Sequence, residues 1–395
     1  MNSARKKRNP KRTDRFFAVL ALIVIVLSWF IGRFRAEADL VPFLKEALPK
    51  AGHFEAVSGD TYKAWLGPDK SHLIGYVAVD SSHGYGGNLT MAVAVSEEGK
   101  IIGQAVVKHR ETTAFFNRVL RSGLIESMAG KSYEESFELG KDVDAVTGAT
   151  YSSRALTEAA RKASRKVAAK NLGYPVPPEP VSKIRWGIAE TVLVGLFFLG
   201  WIVRFHRFKF KKAVCWLSML TGIFVIGFIF NKPLTLVLIN KALLGFWPDW
   251  RLDLYWYILL FGILFFFVVD NKNPYCEWFC PFGSTQECVA LIGGTKKKFS
   301  GKIRILLRWF QRILALGAIV FALVYRNPSV SSYEVFGAFF RLIGTNFHFV
   351  LLGIVLIASL FLFRPWCHYL CPLRPVTDFI RLIRNWIREI WLKLR

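Results

Sequence analysis

Two sets of residues in this 395-residue chain are arranged for chemistry: a threonine that closes a tight glycine turn, and four cysteines in two matched pairs. The threonine is Thr150, the end of the run Asp144-Ala-Val-Thr147-Gly148-Ala149-Thr150-Tyr-Ser152. Gly148 lets the backbone approach a ligand closely. A helix predicted over roughly residues 152–171 would aim its free N–H groups and positive end at the Thr150 hydroxyl, a setting that suits a phosphate. The plainer alternative is an ordinary helix start with Thr147 or Thr150 as its cap. The cysteines stand as Cys276-Glu-Trp-Phe-Cys280-Pro281 and Cys367-His-Tyr-Leu-Cys371-Pro372. Residues four apart share a helical face, so each pair presents two sulfurs together, and the proline is expected to stop the helix. Two such pairs side by side make a four-thiolate pocket, and thiolates in fours select zinc or iron–sulfur clusters. Cys288 is a spare ligand, while Cys215 suits a buried apolar position.

The elements around Thr150 follow a definite order. His83-Gly-Tyr-Gly-Gly87 precedes two alternating segments, Thr90 to Ser96 and Ile101 to Lys108, joined through Glu97-Glu-Gly-Lys100. This pattern predicts a hairpin. His109-Arg-Glu111-Thr112 comes next, then the Thr150 run. The order resembles the FMN-binding domains of the Rnf and Nqr electron-transport complexes and of NosR-like membrane proteins. That resemblance implies a small α+β domain with FMN joined to Thr150 through a phosphodiester bond by a flavin transferase. It also implies that Asp144, Thr147, Gly148, Ala149, Glu111 and Thr112 shape the site, with His109 a further pocket candidate. The chain departs at Thr113, where the family usually has proline.

A hydrophobic fraction of 53% is too high for one soluble domain. Six apolar stretches, at about residues 16–33, 186–203, 213–230, 254–270, 311–326 and 346–363, approach the length that crosses a hydrocarbon core of about 30 Å. The fold class expected is therefore an α-helical polytopic membrane protein of six spans with an inserted extracytoplasmic α+β domain. Its parts are a basic N-terminus (1–15), an anchor (16–33), the FMN-binding domain (36–173), a proline-rich linker (174–185), a five-span domain (186–373) and a basic amphipathic helix (374–395). Phe379, Ile383, Trp386, Ile390 and Leu394 share the apolar face of that last helix, which suits either the headgroup layer or packing against the spans. The short apolar piece Pro233 to Leu244 is expected to be re-entrant or interfacial rather than a crossing.

Charge orients the spans. Of a net charge of +25, almost nothing falls in residues 36–180, which hold 17 Lys and Arg against 18 Asp and Glu. Nucleic acid is excluded as a partner, because a phosphate-binding surface would put the charge on the soluble part. The basic clusters instead flank the spans, before residue 16, at Arg204 to Lys212, across 271–310 and after residue 373. The positive-inside rule places all four in the cytoplasm and residues 36–180 outside, within a cytoplasmic (inner) membrane, with lipid as the surrounding partner.

Across nearly its whole length the chain also resembles NosR and the RdhC/PceC proteins of organohalide respiration, and it is closer in layout to RdhC. The resemblance implies an iron–sulfur centre, of 4Fe-4S type, on Cys276, Cys280, Cys367 and Cys371. It further implies electron transfer between a cytoplasmic donor or quinone, that centre, the FMN and an extracytoplasmic reductase or redox protein. A redox-sensing or maturation role is the alternative. His348 and His368 are candidates for a quinone headgroup, with haem a lesser possibility, and His206 suits a solvated surface. One difficulty follows from topology: a cytoplasmic metal centre and an outside flavin would be separated by about 30 Å of hydrocarbon, which calls for an intermediate carrier.

Overall fold

The computed structural model describes residues 12–34, 40–70, 72–144, 146, 150–179, 184–205, 210–295 and 297–394. Thr147, Gly148, Ala149, His206 and the basic N-terminus through Lys11 lie outside the described residues.

Strands β1 (His53–Ser58), β2 (Thr61–Trp65), β3 (Leu73–His83), β4 (Asn88–Val95) and β5 (Ile101–Lys108) form one antiparallel sheet in the order β1-β2-β3-β4-β5. The expected hairpin is the β4–β5 pair, turned at Gly99 with a φ of 77°. Alternation along β4 builds two cores, since successive side chains leave opposite faces of a strand. Leu89, Met91, Val93 and Val95 pack against Ala155, Ala159, Ala160 and Ala163 of helix α4 (Thr150–Val167). Ala92 and Ala94 face the other way, onto Leu44, Ala47 and Leu48 at α2 (Val41–Ala47). The small alanines let α4 lie close across β3 and β4.

Helix α4 starts at Thr150, two residues earlier than the sequence suggests, and runs on as a π turn, Ala168–Leu172. Thr113 opens α3 (Thr113–Leu120) with Thr112 as its N-cap residue. The first helical position tolerates proline well, so threonine here leaves the segment in the shape the family's proline would favour. The linker is pinned rather than free: Arg161 and Arg165 of α4 pair with Glu179, and Arg165 also donates to the Pro177 carbonyl.

The remaining helices are α1 (Arg12–Phe34), α5 (Ile188–Phe205), α6 (Lys211–Thr221), α7 (Leu236–Leu244), α8 (Leu254–Asp270), α9 (Pro281–Ile292), α10 (Gly301–Val324), α11 (Phe336–Arg341), α12 (Asn346–Phe361) and α13 (Leu373–Leu394). By length and composition Thr13–Phe34, Lys211–Ile229 and Gly301–Val324 can each cross a membrane, and Leu254–Asp270 and Asn346–Phe361 are shorter apolar helices. The second of these combines α6 with a π-helical extension, Gly222–Ile229. Between Pro233 and Leu244 the chain forms only the nine-residue α7, buried against Ala318, Ile319 and Leu323 of α10. α13 packs its first half on α8, where Arg384 donates to the Val268 carbonyl at 2.6 Å, and exposes Ile387, Ile390, Trp391 and Leu392 farther along. Arg15 of α1 pairs with Glu389, tying the first helix to the last.

Candidate functional site

Glu111 organises the threonine end. It is 3% exposed, accepts from the Gly86 N–H at 3.0 Å with one oxygen, and accepts from the Ser152 hydroxyl with the other. One buried carboxyl thus joins the glycine loop between β3 and β4 to the first turn of α4. Burial raises its pKa while these two donors oppose the shift. Thr150 is exposed at the helix start, where the first amides have no helical acceptor.

The same loop docks the domain on the helices. Arg110 Nε donates to the Arg326 carbonyl at 2.8 Å, and its guanidinium lies 4.4 Å from the centre of the Phe246 ring. A side chain at Gly86 would collide with the Arg110 carbonyl and approach Ser329 Oγ to 2.9 Å. The glycines therefore permit the loop to sit down on the membrane-type half of the chain. A cavity of about 250 Å³ lies in the seam. Tyr85, Glu111, Thr112 and Thr150 to Ser152 line one side, and Lys232, Asp253, Tyr255, Trp256, Glu334, Phe336 and His348 the other. Tyr85 and Thr235 share a hydrogen bond of 3.1 Å across the seam, and the Tyr151 hydroxyl reaches Asp253 at 3.4 Å.

Not every residue expected at the site lines this cavity. Asp144 lies on a separate surface groove with Arg118 and Arg121. His109 stacks on Phe116 at 3.8 Å inside its own domain and does not line the cavity. Asp253, Tyr255, Lys241 and Glu334 were not singled out from the sequence, although a lysine inside an apolar segment, as Lys241 is, was a usable signal. Lys241 is 2% exposed and held 5.8 Å from the Tyr85 ring centre.

The four expected cysteines fall in one hydrophobic cluster. Cys276, Cys280, Cys367 and Cys371 share one buried layer, and Cys215 and Cys288 lie outside it. Their local structure differs from the expected helix. Each pair spans a π turn, Tyr275–Phe279 or Trp366–Leu370, after which the second cysteine is extended, with ψ of 118° or 121°. Pro281 then opens α9 at its first position, and Pro372 leads directly into α13. Proline starts the next helix here rather than ending the last, because its fixed φ suits a first turn whose N–H needs no partner. Each sulfur has an N–H directed at it: Asn273 Nδ2 to Cys276 at 3.2 Å, Gln286 Nε2 to Cys367 at 3.4 Å, the Phe282 and Gly283 amides to Cys280, and the Leu373 amide to Cys371.

The two motifs also lock each other. Gln286, which follows the first pair, accepts from the Trp366 N–H of the second motif at 2.9 Å, and Arg364, which precedes the second pair, donates to the Cys276 carbonyl at 3.2 Å. His368 Nδ1 lies 2.9 Å from the Arg364 carbonyl oxygen. Among the described residues no three His, Cys, Asp or Glu side chains converge closely enough for a single ion. A tetrahedral zinc, with Zn–S bonds of about 2.3 Å, needs its sulfurs roughly 4 Å apart. The four cysteines lie in one cluster of buried residues, a donor set that suits zinc or an iron–sulfur unit.

Packing also links the cavity to the cysteine motifs. Phe336, a wall of the seam cavity, meets Phe282 at 5.5 Å and Trp366 at 6.3 Å between ring centres. Phe282 follows Cys280 by two residues, and Trp366 immediately precedes Cys367. Phe336 thus touches, on one side, rings that neighbour both cysteine pairs in the chain and, on the other, the cavity.

Comparison with known proteins agrees with both halves. Residues 84–165 match the family described as FMN-binding domain, and residues 252–300 and 347–390 match the 4Fe-4S binding domain. The chain is 30% identical over 123 residues to a subunit of the proton-translocating ferredoxin:NAD(+) oxidoreductase complex of Clostridium ljungdahlii, covering 30% of this chain and 65% of that protein. It is 26% identical over 209 residues to protein NirI of Paracoccus denitrificans, covering 47% and 30%. With the putative electron transport protein YccM of Escherichia coli the figures are 28% over 129 residues, covering 28% and 35%. The chain thus spans about a third of YccM and of NirI and just under two thirds of the Clostridium protein. Matches to the two families thus fall on separate parts of one polypeptide.

Proposed function

We propose that this protein transfers electrons between a 4Fe-4S centre held by Cys276, Cys280, Cys367 and Cys371 and an FMN carried on Thr150 through a phosphodiester bond. When bound, the cluster exchanges single electrons, and FMN exchanges one or two together with protons. The observation that carries this reading is that Phe336, a wall of the seam cavity, packs on Phe282 and Trp366, the rings that neighbour the two cysteine pairs in the chain.

The residues divide the work. The Thr150 hydroxyl offers the attachment point, and the first-turn amides of α4 favour the phosphate beside it. Tyr85, Tyr255, Trp256 and Phe336 supply apolar walls that exclude water from the ring system. Arg110, Gly86 and Gly87 hold the domain down over the cavity. At the other end, Gln286, Asn273 and the amides of α9 and α13 stabilise four thiolates, and hydrogen bonds to sulfur also set the centre's potential.

Six spans, with both termini cytoplasmic and the flavin domain outside, complete the arrangement in a cytoplasmic membrane. A flavin transferase installs the cofactor. Quinone or a cytoplasmic protein exchanges electrons at one end, and an extracytoplasmic reductase or redox protein does so at the other. The Clostridium relative belongs to a ferredoxin:NAD(+) oxidoreductase complex, which favours redox work of this kind.

The test is compositional. Purified protein should contain iron, acid-labile sulfide and flavin that stays attached after denaturation. Thr150→Ala should lose the flavin and keep the iron, and Cys276→Ser or Cys367→Ser should do the reverse. Flavin retained on denatured Thr150→Ala, or zinc in place of iron, refutes the proposal.

A further inference from the structure

Glu334, in the segment joining α10 to α11, is a wall of the seam cavity and is 7% exposed. Both its oxygens accept from the Leu236 N–H at the start of α7, at 2.9 and 3.0 Å. Among the described residues no cation pairs with it. Tyr85 and Tyr333 are its electrostatic neighbours; Glu111, Lys232, Asp253, Tyr255, Arg341 and His348 line the same cavity, and Lys241 Nζ lies over the Tyr85 ring, 5.8 Å from its centre. A carboxyl so buried, with one amide donor and no counter-charge, holds its proton more tightly than water would allow. Burial pushes Glu334 up to about 8.

We propose that Glu334 is the proton-holding group of the cavity, giving a proton when FMN there is reduced and taking it back when FMN is oxidised. This rests on the reading of the cavity as the FMN site. Two-electron reduction of FMN takes up at least one proton. The electrons arrive through the cysteine-bound centre, and the proton comes from the Glu334 O–H, which leaves a carboxylate. Water at the cavity mouth reprotonates it. A cap for α7 is the purely structural role, and Glu334→Gln separates the two: the amide oxygen still accepts from Leu236, but nothing ionises.

The measurement is the midpoint potential of the bound flavin in detergent-solubilised holoprotein, by spectroelectrochemistry between pH 6 and 10. Wild type should show a change of slope near pH 8, and Glu334→Gln should lose it. Glu334→Asp, which also covers the case in which Glu334→Gln fails to load flavin, should keep a break displaced in pH. An identical break in wild type and Glu334→Gln, no break in wild type, an unshifted break in Glu334→Asp, or loss of the break in Glu111→Gln alone overturns the proposal. Flavin content of the same samples separates the two levels: wild type without flavin sinks the cavity reading, whereas full flavin with an unmoved break sinks only the role of Glu334.

Discussion

Replacing Glu111 by alanine removes one carboxyl and strands two donors, the Gly86 N–H and the Ser152 hydroxyl. A buried donor left without a partner costs about 1–3 kcal/mol. Ser152 recovers part of its share by turning its hydroxyl to a carbonyl of its own helix. Loss of the desolvation penalty that raises the Glu111 pKa offsets a further part. The net destabilisation is then about 1–3 kcal/mol, or on the order of 5 °C in the melting of a domain this size. Glu111→Gln should cost less, because its carbonyl still accepts from Gly86 and its amide can donate to Ser152. The assay is thermal unfolding of the detergent-solubilised protein followed by circular dichroism in the sheet region, with flavin content measured in parallel. Equal melting midpoints for Glu111→Ala, Glu111→Gln and wild type, with flavin content unchanged, would refute the idea that this carboxyl holds the loop to α4.

Three further outcomes follow from close contacts and charge. A methyl group at Gly222 would fall on the Phe279 carbonyl, so Gly222→Ala should displace the first cysteine turn, cost about 1–3 kcal/mol and lower iron per chain while flavin stays constant. Gly86→Ala should displace the loop at Arg110 and lift it off Ser329, read as faster hydrogen exchange of residues 326–334 with the sheet still protected; unchanged exchange there counts against the docking described. Stability should also depend on pH. The folded pKa values of Glu111 and Glu334 both lie above the unfolded range near 4.5, so their contribution is complete below pH 4.5 and is lost as pH rises, through about 8 for Glu334. The melting midpoint should fall across that window in wild type and fall less in Glu334→Gln.

Much of this was legible in the chain itself. Alternation over 90–108 marked the hairpin, since a strand shows period two whatever it pairs with. The paired C-x-x-x-C-P motifs singled out the four cysteines that share one cluster, and Glu111 and Thr150 stood out beside their glycines. Local pattern does not say which distant residues a side chain will meet. Asp144 stands shortly before α4 in the chain, yet its place on the Arg118 and Arg121 groove takes it away from the cavity. His109 looked available for a cofactor until Phe116 covered its ring.

Side-chain identity and local spacing were enough to single out residues suited to chemistry and to show which stretches are apolar and where charge collects, because each of these is a property of a short piece of chain. Packing alone settled that Glu111 ties Gly86 to Ser152, that Glu334 and Asp253 face Thr150 across a seam, and that Phe336 touches the rings beside both cysteine pairs. Such contacts join positions far apart in the chain, and their distances depend on how whole helices pack, a quantity no local pattern contains.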